Sequence, residues 1–128
     1  MVKVTMSDVL ALRQQIGFFL NQKLPLPVAY KLNKMNQAAI KEGEFYQEKF
    51  NEIVDKYAKT DEEGNIVFSE DGDQIMIKEE LIGECNEALE ELMNLEIEVE
   101  TYGLKIDDFG DSIQCTAEEI EAITPFLE

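Results

Sequence analysis

After Pro27 the chain runs without proline to residue 124, and its first thirty or so residues repeat apolar side chains at helical spacing. Val28, Leu32, Met35, Ala39, Tyr46, Phe50, Ile53 and Tyr57 form a near-heptad seam with one gap, at Glu42 and Gly43. This predicts a single helix over 27–58, spanning about 45 Å at the standard rise. In a chain of 128 residues such a helix must pack against a partner helix or another subunit. Its start is marked by "KLPLP". Pro25 and Pro27 lack amide donors and disfavour helix in the residue before each. Pro27 suits the first position of the new helix, where no amide is needed.

The remaining elements arrange themselves around that helix. "VKVTM" alternates as a short strand or a frayed start. Ser7 is the expected N-cap of a helix over 8–22, whose face is Val9, Leu12, Ile16 and Phe19, widened by Leu10 and Leu20. "TDEEGN" and "EDGD" are turn clusters, and the runs "IVF" and "IMI" beside them suggest a β-hairpin pairing 66–68 with 74–77. A third helix over 78–94 carries Leu81, Cys85, Ala88, Leu92 and Leu95. That seam matches the C-terminal half of the long helix, so the two should form an antiparallel hairpin with the acidic loops at its tip. "LEIEVET" alternates strictly, with Leu95, Ile97, Val99 and Thr101 on one face and Glu96, Glu98 and Glu100 on the other. "TAEE" at 116–119 is a capping box for a short helix that Pro125 ends. The expectation is one α+β domain over 1–128, mainly α: a long antiparallel helical hairpin with a short β-hairpin and a few short strands.

Composition narrows the chemistry. There is no histidine, so the commonest general base, neutral-pH switch and metal ligand are all missing. Cys85 and Cys115 have no metal-ligand spacing and read as reduced thiols, with Cys85 on the apolar face of its helix. Neither cysteine has a base in its neighbourhood of sequence, and no G-x-S-x-G or P-loop occurs. The glutamates 96, 98 and 100 share a strand face, but a solvent-facing ladder does not set two carboxyl pKa values apart as acid–base catalysis requires. The acidic loops fail the calcium-loop spacing, because the residues five before Gly64 and Gly72 are Lys59 and Val67. The expectation is therefore a protein that is not an enzyme, with no cofactor and no metal. "VLALRQQIGFFL" is interrupted by Arg13, Gln14 and Gln15, so no secretion signal or membrane span is expected.

Charge supplies the positive clue. The formal net charge is −17, yet residues 1–58 hold eight cations and six acids, while residues 59–128 hold three and twenty-two. In residues 1–41 the only acid is Asp8, against Lys3, Arg13, Lys23, Lys31, Lys34 and Lys41. So acidic a remainder is repelled by DNA, which excludes direct DNA binding over most of the surface. At the start of the long helix, Lys23, Lys31 and Lys34 surround Tyr30. A helix start attracts anions, lysines add charge and a tyrosine adds a stacking face. This basic corner is the expected ligand-binding site for a nucleotide-type anion, with Arg13 and Phe19 of the preceding helix closing it. The apolar residues Leu26, Val28, Tyr30, Leu32 and Met35 exceed what one short helix can cover, so a homo-oligomer is also expected.

The order "QKLPLPVAYKLNK", a long charged helix, "KYAKTDEEGNIVF", "LEELMNLEIEVE" and "TAEEIEAITPFLE" resembles small uncharacterised proteins of tailed bacteriophages, from about Leu20 onward. The resemblance implies a phage origin and a place in the host bacterial cytoplasm or the virion. It carries over no function and no binding residues. In that setting three readings stand: a counter-defence protein that sequesters a host signalling nucleotide through the basic corner, a virion structural or assembly-chaperone protein using the helical seams, or an acidic nucleic-acid mimic that inhibits a host defence protein. The acids are scattered over turns, a strand face and a helix, which favours a solubilising surface over a mimic.

Overall fold

The computed structural model of the chain describes residues 1–70, 72 and 74–128. It is α+β and mainly α, with four α-helices and one two-stranded antiparallel sheet among the described residues. In chain order the elements are β1 (Val2–Thr5), α1 (Met6–Leu20), α2 (Leu26–Tyr57), α3 (Ile82–Met93), β2 (Glu96–Val99) and α4 (Ala117–Ile123). The backbone packs into two compact units: Met1–Glu44 together with Asn94–Glu128, and Phe45–Met93.

The first unit opens with β1, which turns directly into α1. The joint is made by Thr5. Its hydroxyl accepts the Asp8 amide at 3.2 Å, and the Asp8 carboxylate accepts the Thr5 amide at 2.9 Å. Ser7, the N-cap expected from sequence, lies inside the helix instead. The reason is reciprocity: three residues after Thr5 stands a carboxylate, whereas three after Ser7 stands Leu10. Thr5→Ala should therefore cost about 1 kcal/mol of stability, with Ser7→Ala costing far less. Urea unfolding of the two variants checks this.

Strand β2 pairs antiparallel with β1, Val2 opposite Val99 and Thr5 opposite Glu96. Alternation holds over the strand, where Val99 is buried, Ile97 half-buried and Glu96 and Glu98 exposed, and Thr101 is buried beyond it; Leu95, expected on the covered face, is exposed, and Glu100 is half-buried. Helix α4 is capped by Thr116 and Glu119 as expected and passes into a 3-10 turn, Thr124–Phe126. Its backbone packs against α1. The core joins Met6, Val9, Leu12, Ile16 and Phe19 of α1 to Leu104, Ala122, Ile123 and Phe126.

Helix α2 has 32 residues and runs from the first unit into the second. In the first unit it buries Val28, Leu32, Met35 and Ala39. The gap in the seam has a structural use. Gly43 is buried, and the Arg13 side chain lies where its Cβ would be. In the second unit the seam shifts: Val54 and Ala58 are buried, whereas Ile53 and Tyr57 are only partly covered. A straight helix drifts from a heptad by about 20° each repeat, so the inward row moves on one residue.

In the second unit, α2 is followed by a bridged loop, a 3-10 turn (Glu79–Leu81) and α3. No strand forms at 66–77 among the described residues, so the expected β-hairpin is replaced by isolated bridges: Ala58 with Ile77, Thr60 with Ile66, and Phe68 with Ile75. Three backbone bonds close a ring. The Lys59 amide donates to Met76, the Met76 amide to Val67, and the Val67 amide to Lys59, at 2.7, 2.9 and 2.8 Å. A third segment, 58–60, has joined the two that sequence paired, so each is too short to ladder. Within the "EDGD" turn, Asp71 and Asp73 lie outside the described residues. The Lys78 amide donates to the Tyr57 carbonyl at 3.0 Å, and Phe50 and Val54 of α2 and Cys85 and Leu89 of α3 line one groove. No helix among the described residues is long and apolar enough to cross a membrane.

Candidate functional site

The start of α2 is also the edge of a surface cleft of about 590 Å³, lined by Leu26, Pro27, Tyr30, Lys31 and Tyr102. The helix begins at Leu26, with the Ala29 amide bonded to the Pro25 carbonyl at 3.0 Å. Pro27 thus sits one position inside the start. The first turn carries no acid. Tyr30 is 59% exposed and Leu26 83% exposed. One turn on, Lys34 holds its ammonium over the Tyr30 ring, 5.7 Å from the centroid, because residues four apart share a helix face.

Of the five residues expected at this corner, the fold brings together Tyr30, Lys31 and Lys34. Lys23 lies in the connection before α2 and does not line the cleft. Arg13 reaches α2 at Gly43, about 25 Å along the helix from Leu26 at the standard rise, so it does not belong to the site. Phe19 does not close the corner either. It is buried, packs edge-on against Phe109 at 5.7 Å, and lines a separate cavity with Ile120 and Ile123.

Tyr102 is the member that sequence reasoning missed. It follows the β2 strand and occupies a tight turn in which the Leu104 amide donates to the Thr101 carbonyl at 3.1 Å. Both central residues have positive φ, 58° at Tyr102 and 72° at Gly103. This geometry belongs to a type I′ turn, which asparagine and glycine favour. The "YG" pair after an alternating strand was the signal for it. Tyr102 is the one non-glycine residue in the left-handed region among the described residues. A bulky side chain there is costly, so its placement at the cleft is a feature to be explained.

The turn is held by carboxylates. The Tyr102 amide donates to Glu100 at 2.8 Å, and the buried Thr101 hydroxyl donates to Glu128 at 2.8 Å. The amino group of Met1 lies 3.7 Å from both Glu100 and Glu128. The Thr101 hydroxyl above all, with the amino group and the Gly103 amide, holds the Glu128 carboxyl below its ordinary range, against some loss of solvation. A carboxyl so depressed stabilises the fold above its unfolded pKa, and that contribution is lost as pH falls through the folded value. Thr101→Val should raise the Glu128 pKa and weaken this acid-sensitive step, as NMR titration of the carboxyl would record.

The charged member of the cleft lining is Lys31, while Glu100 and Glu128 are engaged by the turn that carries Tyr102 and by the amino group of Met1. Among the described residues Tyr30 and Tyr102 make no ring contact with each other, and Lys34 covers one face of Tyr30. The lining offers no nucleophile paired with a base. Cys85 is elsewhere, in the second unit, and burial pushes its thiol up. Among the described residues no group of three or more acidic or cysteine side chains is placed to hold a metal ion. No protein-family model, curated protein or solved structure matches the chain.

Proposed function

We propose that this is a non-catalytic binding protein that captures a nucleotide-type ligand in the Tyr30–Lys31–Tyr102 cleft. The observation that carries the reading is the convergence of two exposed tyrosines and a lysine on one cleft at a helix start. Stacking on aromatic rings is tolerant of base identity, and lysines with the helix dipole suit a phosphate. A nucleotide would set its phosphate toward Lys31 and Lys34 and its base against the tyrosines. Charge-assisted contacts contribute about 1.5–3 kcal/mol each. Two such contacts with stacking reach the roughly 8 kcal/mol of micromolar binding only if the cleft is largely pre-formed. In a phage protein such capture would serve to remove a host signal.

Calorimetry with mono-, di- and cyclic nucleotides tests this. At least one should bind the wild-type protein, and Lys31→Ala with Lys34→Ala should weaken it by at least about tenfold, the value of one lost charge-assisted contact. Binding that ignores both substitutions would show the lysines to be ordinary surface charge.

A second reading is favoured by the exposure of Leu26 beside Tyr30. On that reading the same face is a contact between copies of the chain, as in an oligomer or a virion part. Sedimentation separates the two: an assembly that Leu26→Asp dissolves, with no nucleotide bound, supports the contact.

A further inference from the structure

We propose that the second unit, Phe45–Met93, docks a basic amphipathic helix of a partner protein in the groove between α2 and α3. The groove has a volume of about 380 Å³ and an apolar wall of Phe50, Val54, Ile75, Ile77, Cys85 and Leu89. It is a different site from the nucleotide cleft, and the inference does not rest on that reading.

Three observations identify the occupant. The unit is short of interior. Among its described hydrophobic side chains only Val54, Ala58, Cys85 and Leu92 are buried, in a segment of 49 residues. A unit of that size normally needs further burial to be stable, and a helix laid in the groove would supply it. The unit is strongly negative in net charge. Residues 45–93 carry four cations and fifteen acids, a net −11. Among the described residues the unit's ion pairing is confined to Lys49 with Glu52 at 3.3 Å, which leaves its other described carboxylates without a cation. Of the charged helix positions next to the wall residues, Asp55, Glu84 and Glu90 are acidic, and Lys49, which pairs with Glu52, is basic. Asp55 follows Val54 and Glu90 follows Leu89, each about 100° further round its helix, and both are exposed.

An apolar floor with mostly acidic lips fits a helix that has one apolar face and lysines or arginines along its edges. It does not fit a second copy of this unit, whose −11 would repel the first. The thiol of Cys85 takes part as an apolar wall group, since burial keeps it protonated.

The test uses the full chain and a fluorescein-labelled leucine–lysine helix of about 18 residues, with leucine confined to one face. Fluorescence anisotropy should show saturable, salt-sensitive binding. A scrambled peptide of the same composition should bind at least about tenfold more weakly. Leu89→Gln should weaken the amphipathic peptide by a similar factor, and so should the surface pair Asp55→Lys with Glu90→Lys, which leaves the wall intact. Equal binding of the scrambled peptide would reduce the effect to bulk charge and overturn the proposal. So would indifference to the charge-reversed pair, or sedimentation showing the groove closed by a second copy.

Discussion

Phe126→Ala should be the most damaging single truncation in the chain, costing about 3–5 kcal/mol. Phe126 is fully buried although it stands two residues from the end of the sequence. The reason is the turn that delivers it. Thr116 and Glu119 start α4, Thr124 returns its hydroxyl to the Ile120 carbonyl at 2.6 Å, and Pro125 prevents the α-helix from continuing. The 3-10 turn then carries Phe126 into the interior, its backbone packed against α4 and β1. Small domains have roughly 5–15 kcal/mol in all, so the loss would consume a large part of the first unit's stability. Urea unfolding followed by circular dichroism reads it. A cost under about 1 kcal/mol would mean that this end of the chain is not part of the core.

Tyr102→Gly should separate binding from stability, with effects of opposite sign. Tyr102 holds φ at 58°, where a residue with a Cβ is strained by about 1–2 kcal/mol. Glycine removes that strain, and its greater unfolded-state freedom returns about 0.5–1 kcal/mol of the gain. The fold should thus be unchanged or more stable by about 1 kcal/mol. The ring is lost at the same time, and stacking on an aromatic is worth about 1–3 kcal/mol per base. Nucleotide affinity should therefore fall by about tenfold or more while the melting temperature holds or rises. Loss of both together would instead make Tyr102 a structural residue.

These two residues show what one sequence exposes and what it hides. The capping box at Thr116, the alternation of 96–99 and the break at Pro25 depend on neighbours in the chain, and the fold shows all three. The N-cap at Thr5 was equally local, and it was legible in the Thr5–Asp8 spacing. Arg13 was different. Its charge put it with the lysines, but the missing side chain of Gly43 gave it a seat elsewhere, and only packing reveals that. Lys23 shares the linker with the corner but not its cleft. Tyr102 is some seventy residues from Tyr30 in sequence, and no local pattern brings a turn after β2 to the start of α2. The ring of bonds joining Lys59, Val67 and Met76 is hidden for the same reason, because a three-way closure has no sequence period.

The central claim is that the Tyr30–Lys31–Tyr102 cleft is where a nucleotide binds. The most direct measurement is an amide NMR titration of the wild-type protein with the nucleotide panel. The account predicts saturable shift changes concentrated at the start of α2, through Lys34, and in the Thr101 to Leu104 turn, with the second unit unmoved. Saturable changes centred elsewhere, or none for any nucleotide, would contradict it.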